Sequence, residues 1–142
     1  MKTKRRNILE ADKKSIRDRL KRILEKHTEI SFGYLHGSFV SGGSFADIDV
    51  ALYLRRIPES PLEYELPLES ELMKAADAYP VDVRILNRAP LSFRYQVIKN
   101  GVSLIVNDDD QRVAFQEATL ADYFDFAPYR AMYLKETLGL GV

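Results

Sequence analysis

The stretch Leu35–Leu52, LHGSFVSGGSFADIDVAL, decides how the rest of the chain is read. An apolar run closes at Gly37-Ser38, a turn rich in glycine and serine follows, and Asp47 and Asp49 then stand one residue apart in a second apolar run. Side chains alternate faces along a strand, so Asp47 and Asp49 point one way while Ile48 and Val50 point into the core. Their Cα atoms lie about 6.5–7 Å apart, set by a rise of about 3.3 Å per residue. Two carboxylates on one face repel unless cations lie between them. Mg²⁺ favours a few carboxylate oxygens together with substrate phosphates, and a pair of ions about 3.5–4 Å apart fits this spacing. Glycine lets the backbone approach a phosphate closely, where N–H groups and the Ser38 hydroxyl can cradle it. Turn and aspartates thus serve opposite ends of one object, a metal-bound triphosphate. A third carboxylate belongs on a neighbouring strand, and Asp82, between inward-facing Val81 and Val83, is the candidate.

Working outward, Ile16, Leu20, Ile23 and Leu24 recur at helical spacing, which predicts an amphipathic helix from about Asp12 to His27. Strands are predicted at Ile30–Gly37, Asp47–Leu54, Tyr79–Leu86 and Val102–Val106. Helices are predicted at Leu62–Ala78, with prolines confined to its start, at Leu91–Lys99 and at Val113–Thr137, which Pro128 should kink or divide. The fold class is α/β (α+β): a small mixed sheet with helices packed mainly on one face, in a single domain spanning 1–142. Within it, residues 1–28 form a basic N-terminal helix and 110–137 a C-terminal helical segment. There is no GxGxxG and no Walker lysine, so the turn at 37–43 is not a P-loop.

With no cysteine there is neither a disulfide framework nor a thiolate site, which fits a cytoplasmic protein. No apolar run approaches the roughly 20 residues that cross a bilayer, and no signal-type segment follows the basic start. The net charge is zero, yet residues 1–28 hold eleven Lys/Arg against four Asp/Glu, a local charge of +7. A solvated helix face is the expected reading of that segment; RNA binding through Lys13, Arg17, Lys21 and Arg22 is the less favoured one. The run Asp108–Asp110 sits just before a helix, where aspartate caps the first turn. His36 lacks the setting of a hydrolase dyad with Ser38 and reads as a core or site-lining histidine. Phe115, Tyr123, Phe124, Phe126, Tyr129 and Tyr133 exceed what one helix face needs for packing, so part of them suits a partner surface.

The order Gly37-Ser38, eight residues, Asp47-Ile48-Asp49, then Asp82 on a later strand resembles the DNA-polymerase-β-like nucleotidyltransferase superfamily. Length and C-terminal tail resemble its minimal nucleotidyltransferases (MNT), the antitoxin partners of HEPN-domain toxins. The resemblance implies Mg²⁺-dependent transfer of AMP from ATP to a tyrosine hydroxyl of a HEPN toxin. Asp47 and Asp49 would hold two Mg²⁺ ions, Asp82 would complete one metal site and help activate the hydroxyl, and Gly37 and Ser38 would grip the β- and γ-phosphates. Ser41 stands where many relatives carry a basic residue. Two alternatives follow: a steric, non-catalytic antitoxin, and an RNA-directed nucleotidyltransferase. Self-association is compatible with either.

Overall fold

A computed structural model describes residues 7–138; in the last helix the side chains at 126, 127, 129–131, 133, 134 and 136–138 lie outside that description. Phe126, Tyr129, Tyr133 and the basic residues Lys2, Lys4, Arg5 and Arg6 therefore fall outside the described residues. The elements are α1 (Glu10–Glu25), β1 (Ile30–His36), α2 (Ser38–Ser41), β2 (Ile48–Leu54), α3 (Pro61–Ala75), β3 (Val81–Ile85), α4 (Leu91–Asn100), β4 (Val102–Val106) and α5 (Asp109–Leu138). The strands form one mixed sheet in the order β3-β2-β1-β4. β1 pairs antiparallel with β2 and β4, while β2 and β3 are parallel, joined through α3.

Alternation along β2 buries Ile48, Val50, Leu52 and Leu54 on one face, where they meet Ile16, Leu20 and Leu24 of α1 and Leu68 and Leu72 of α3. The larger core lies there. Helices are not confined to it: Phe32, Tyr34, Ala51 and Leu86 on the other face pack with Val97 of α4 and Phe115 of α5. The larger core thus lies on the face expected to carry most of the helix packing, and the second face is covered too. The apolar residues of the sheet's second face (Phe32, Tyr34 and Ala51) need cover as well, and α4 and α5 supply it.

Two prolines also behave differently from expectation. Pro67 lies inside α3 and Pro128 inside α5, which runs on undivided. Each proline removes a donor from the carbonyl four residues earlier. Both are exposed, so water can satisfy those carbonyls. The ends of α3 are ordinary: Pro61 opens it, and the Ser60 hydroxyl accepts from the Glu63 N–H at 3.3 Å. Asp108 likewise accepts from the Gln111 N–H at 3.0 Å, the capping role expected of the acidic run.

Two contacts seal the frame. The edge strand β3 would leave backbone donors open, but the Val83 N–H donates to Glu69 at 2.8 Å and the Ile85 N–H to Glu65 at 3.1 Å. Four helical residues rise about 6 Å and two strand residues about 6.6 Å, so the two glutamates match alternate amides. Lys13 is not part of the solvated basic face. It is buried, donates to the Phe39 carbonyl of α2 at 3.1 Å, and stands 5.4 Å from the ring centroids of both Phe39 and Phe45. Lys13→Ala should cost about 1–3 kcal/mol in denaturant unfolding, since it strips a charged donor from a buried carbonyl. Exposed Lys14→Ala should stay within about 0.5 kcal/mol.

Candidate functional site

The site is built at the end of β1. Gly37 adopts φ 77°, a conformation open to glycine, and a Cβ there would collide with the carboxylate of Asp49. Gly42 and Gly43 also have positive φ, which turns the chain from α2 back toward β2. The Gly37 carbonyl accepts from Val40 and Ser41, both at 3.1 Å, closing the single turn of α2. The first amides of such a turn have no partner within it.

Register then assembles the carboxylates. Asp49 of β2 lies opposite His36 of β1 and opposite Asp82 of β3, so the three stand abreast across the sheet. Asp47 falls one residue before β2 rather than inside it. It still lies close enough to act on Asp49, whose carboxyl is pushed up to about 6 by burial first, then by Asp47 and Asp82. Asp47, Asp49, Asp82 and the Gly37-Ser38 turn thus gather at one end of the sheet. Among the described residues, no three His, Asp or Glu side chains form a ready metal cage. Crowded, uncompensated carboxylates still suit a hard cation, one that completes its shell with oxygens from a bound nucleotide.

Other groups outside the Gly-Ser and aspartate motifs also stand at the site. His36 lines it, as expected. Burial lowers the affinity of its imidazole for a proton, Asp82 and Asp47 oppose this, and Arg84 reinforces it. Its Nε2 is buried without a partner among the described residues. The Arg84 guanidinium lies 4.4 Å from the centre of the Phe93 ring, which meets His36 edge-on at 5.5 Å. Glu69 also reaches Asp82, and burial, followed by that neighbour, raises its carboxyl. Only the spacing of Glu65 and Glu69, one helical turn apart, hints at these roles in the sequence.

A mixed sheet that sets carboxylates beside a Gly-Ser turn is the layout of a nucleotidyltransferase. The chain belongs to that family: the model described as "Polymerase beta, Nucleotidyltransferase" matches residues 18–110. In three dimensions it is similar to a chain of the tri-AMPylated Shewanella oneidensis HEPN toxin in complex with MNT antitoxin. The TM-score is 0.68 at 20% identity, over 89% of this chain and 98% of that one. It is also similar to a toxin–antitoxin structure with AMP-PNP, with TM-score 0.68 and 21% identity over 86% and 98%. A mutant MntA–HpeT toxin–antitoxin gives 0.70 at 20% identity over 86% and 98%. At these identities the likeness is one of fold. No curated protein matches in sequence. Among the described residues, no helix is long and apolar enough to cross a membrane.

The raised Asp49 carboxyl sets a pH dependence. Its ordinary value is 3.8 and its folded value about 6, so between about pH 4 and 6 the folded chain holds more proton than the unfolded one. Stability of the metal-free protein should therefore fall as pH rises through that window. Asp49 is half-buried, so solvent screening limits the loss to about 1 kcal/mol. Asp49→Asn should flatten this part of the profile and be the more stable form above pH 6, as read by chemical unfolding in EDTA.

Proposed function

We propose that this chain is a minimal nucleotidyltransferase that moves an adenylyl group from ATP to a tyrosine hydroxyl of a HEPN-domain partner, silencing it as an antitoxin. The observation that carries this reading is the register that sets Asp82 beside Asp49, with Gly37 packed against the same carboxylate. The fold neighbours add to it, since one is a complex with an AMPylated HEPN toxin and another is a structure with AMP-PNP.

In this reading Asp47 and Asp49 hold a pair of Mg²⁺ ions, and Asp82 contributes to one of them. Bound there, the ions would neutralise charge on the phosphates. Gly37 and Ser38 hold the β- and γ-phosphates, which leaves the α-phosphorus at the carboxylate row. The acceptor oxygen forms a bond to that phosphorus while the bond to the β-phosphate bridge breaks, and pyrophosphate leaves. Asp82, exposed at the edge of the row, takes the hydroxyl proton. A fold neighbour bound to its HEPN toxin supports an acceptor that comes on another protein. A tail aromatic such as exposed Phe124 offers that protein an apolar contact.

Wild-type protein, ATP, Mg²⁺ and the HEPN partner should give a partner heavier by one or more AMP units on intact-mass spectrometry. Asp49→Asn should still bind the partner but slow the mass gain at least about a hundredfold. A wild type that silences an unmodified partner would establish the steric alternative instead. With Lys13 buried, the RNA-directed alternative rests on Arg17, Lys21 and Arg22, which stay exposed on α1. It requires binding that weakens steeply with salt. Little transfer-RNA binding is expected at physiological salt in a filter assay, and a tight complex would favour that alternative.

A further inference from the structure

The cleft beside the carboxylate row has a second wall that the Gly-Ser and aspartate motifs leave unexplained. It encloses about 440 Å³ between His36, Gly37, Ser38 and Ser41 on one side and Phe93, Gln96, Val97 and Asn100 of α4 on the other. That volume suits a small-molecule ligand. Among the described residues that line it there is no Lys or Arg, so an anion entering here meets neutral hydrogen-bonding groups beside a carboxylate row.

Gln96 and Asn100 are one helical turn apart, and the Asn100 Nδ2 donates to the Gln96 Oε1 at 2.7 Å. This bond takes one of the two lone pairs of the Gln96 Oε1 and leaves its two N–H groups without a partner among the described residues. Both side chains are exposed, and the Ser38 and Ser41 hydroxyls lie in the same cleft. The two Gln96 N–H groups and the Ser38 and Ser41 hydroxyls place donors on both walls of the cleft, where terminal phosphate oxygens, acceptors only, can meet them.

We propose that Gln96 and Asn100 complete, from the α4 wall, the grip on the outer phosphates of a nucleoside triphosphate that Ser38 begins. This rests on the nucleotidyltransferase reading above. Neutral donors take the place of a lysine or arginine clamp, so nucleotide affinity depends only weakly on salt.

The test is calorimetric binding of ATP in Mg²⁺, with inorganic tripolyphosphate as competitor, to wild type, Gln96→Ala, Asn100→Ala and Gln96→Lys. Each alanine variant should weaken ATP and tripolyphosphate by a similar factor, about tenfold for a lost charge-assisted hydrogen bond. Gln96→Lys should tighten both and steepen a salt dependence that is weak in the wild type. Circular dichroism should show all three variants folded, since both positions are exposed. An amide pair can also read the edge of adenine. Weakening of ATP with tripolyphosphate unaffected would place the amides on the base and overturn the proposal. So would unchanged binding of both ligands, or failure of tripolyphosphate to displace ATP from the wild type. A wild type that binds no ATP at all would instead overturn the nucleotide reading itself.

Discussion

The approach of Gly37 to the Asp49 carboxylate is the constraint on which the site depends. A side chain at position 37 would occupy the space of that carboxylate, and its φ of 77° would be strained for any residue with a Cβ. With glycine there, the backbone can turn sharply out of β1 and lie directly against the charge. Asp49 is then hemmed in by the turn, by His36 and by Asp82. Its raised affinity for a proton is the electrostatic consequence of that crowding, with burial as the largest cause. A metal-free site of this kind is held in place against its own repulsion.

What holds it is the other face of the same strands. Ile48, Val50, Leu52 and Leu54 anchor β2 in the larger core, and Val81 and Val83 anchor β3 beside it. Because alternation is strict, burying those residues leaves Asp49 and Asp82 no choice of face. The parallel pairing of β2 with β3 then brings the two aspartates level. Glu65 and Glu69 occupy the open edge of β3, which fixes the strand without a further partner. Lys13 ties α1 to α2, so the Gly-Ser turn is tethered to the helix layer rather than left as a free loop.

On the opposite face, α4 and α5 close a smaller apolar cluster, and α4 gives the cleft its second wall. Tyr95 and Tyr123 stack with centroids 3.6 Å apart, joining the two helices. The position of Phe93, Gln96 and Asn100 opposite the Gly-Ser turn therefore depends on packing far from the carboxylates.

The sequence by itself determined the strands, the paired faces and the candidate carboxylates. These follow from period-two alternation and from a glycine turn, both local properties of a few neighbouring residues. Asp82 was legible for the same reason, because the valines on either side define its face. Element ends were read to within a few residues, and Asp47 proved to lie one position before its strand. The tertiary structure alone decided the rest. Lys13 reads as one more charge on a basic helix until Phe39, 26 residues later, supplies its carbonyl. Glu69 reads as a helix surface residue until β3 needs a partner for its edge. The helices on the second face, the undivided α5 and the amide wall of α4 are likewise outcomes of long-range packing. Such contacts join residues distant in the chain, and their placement is set by which apolar surfaces must be covered, a condition that no local spacing records.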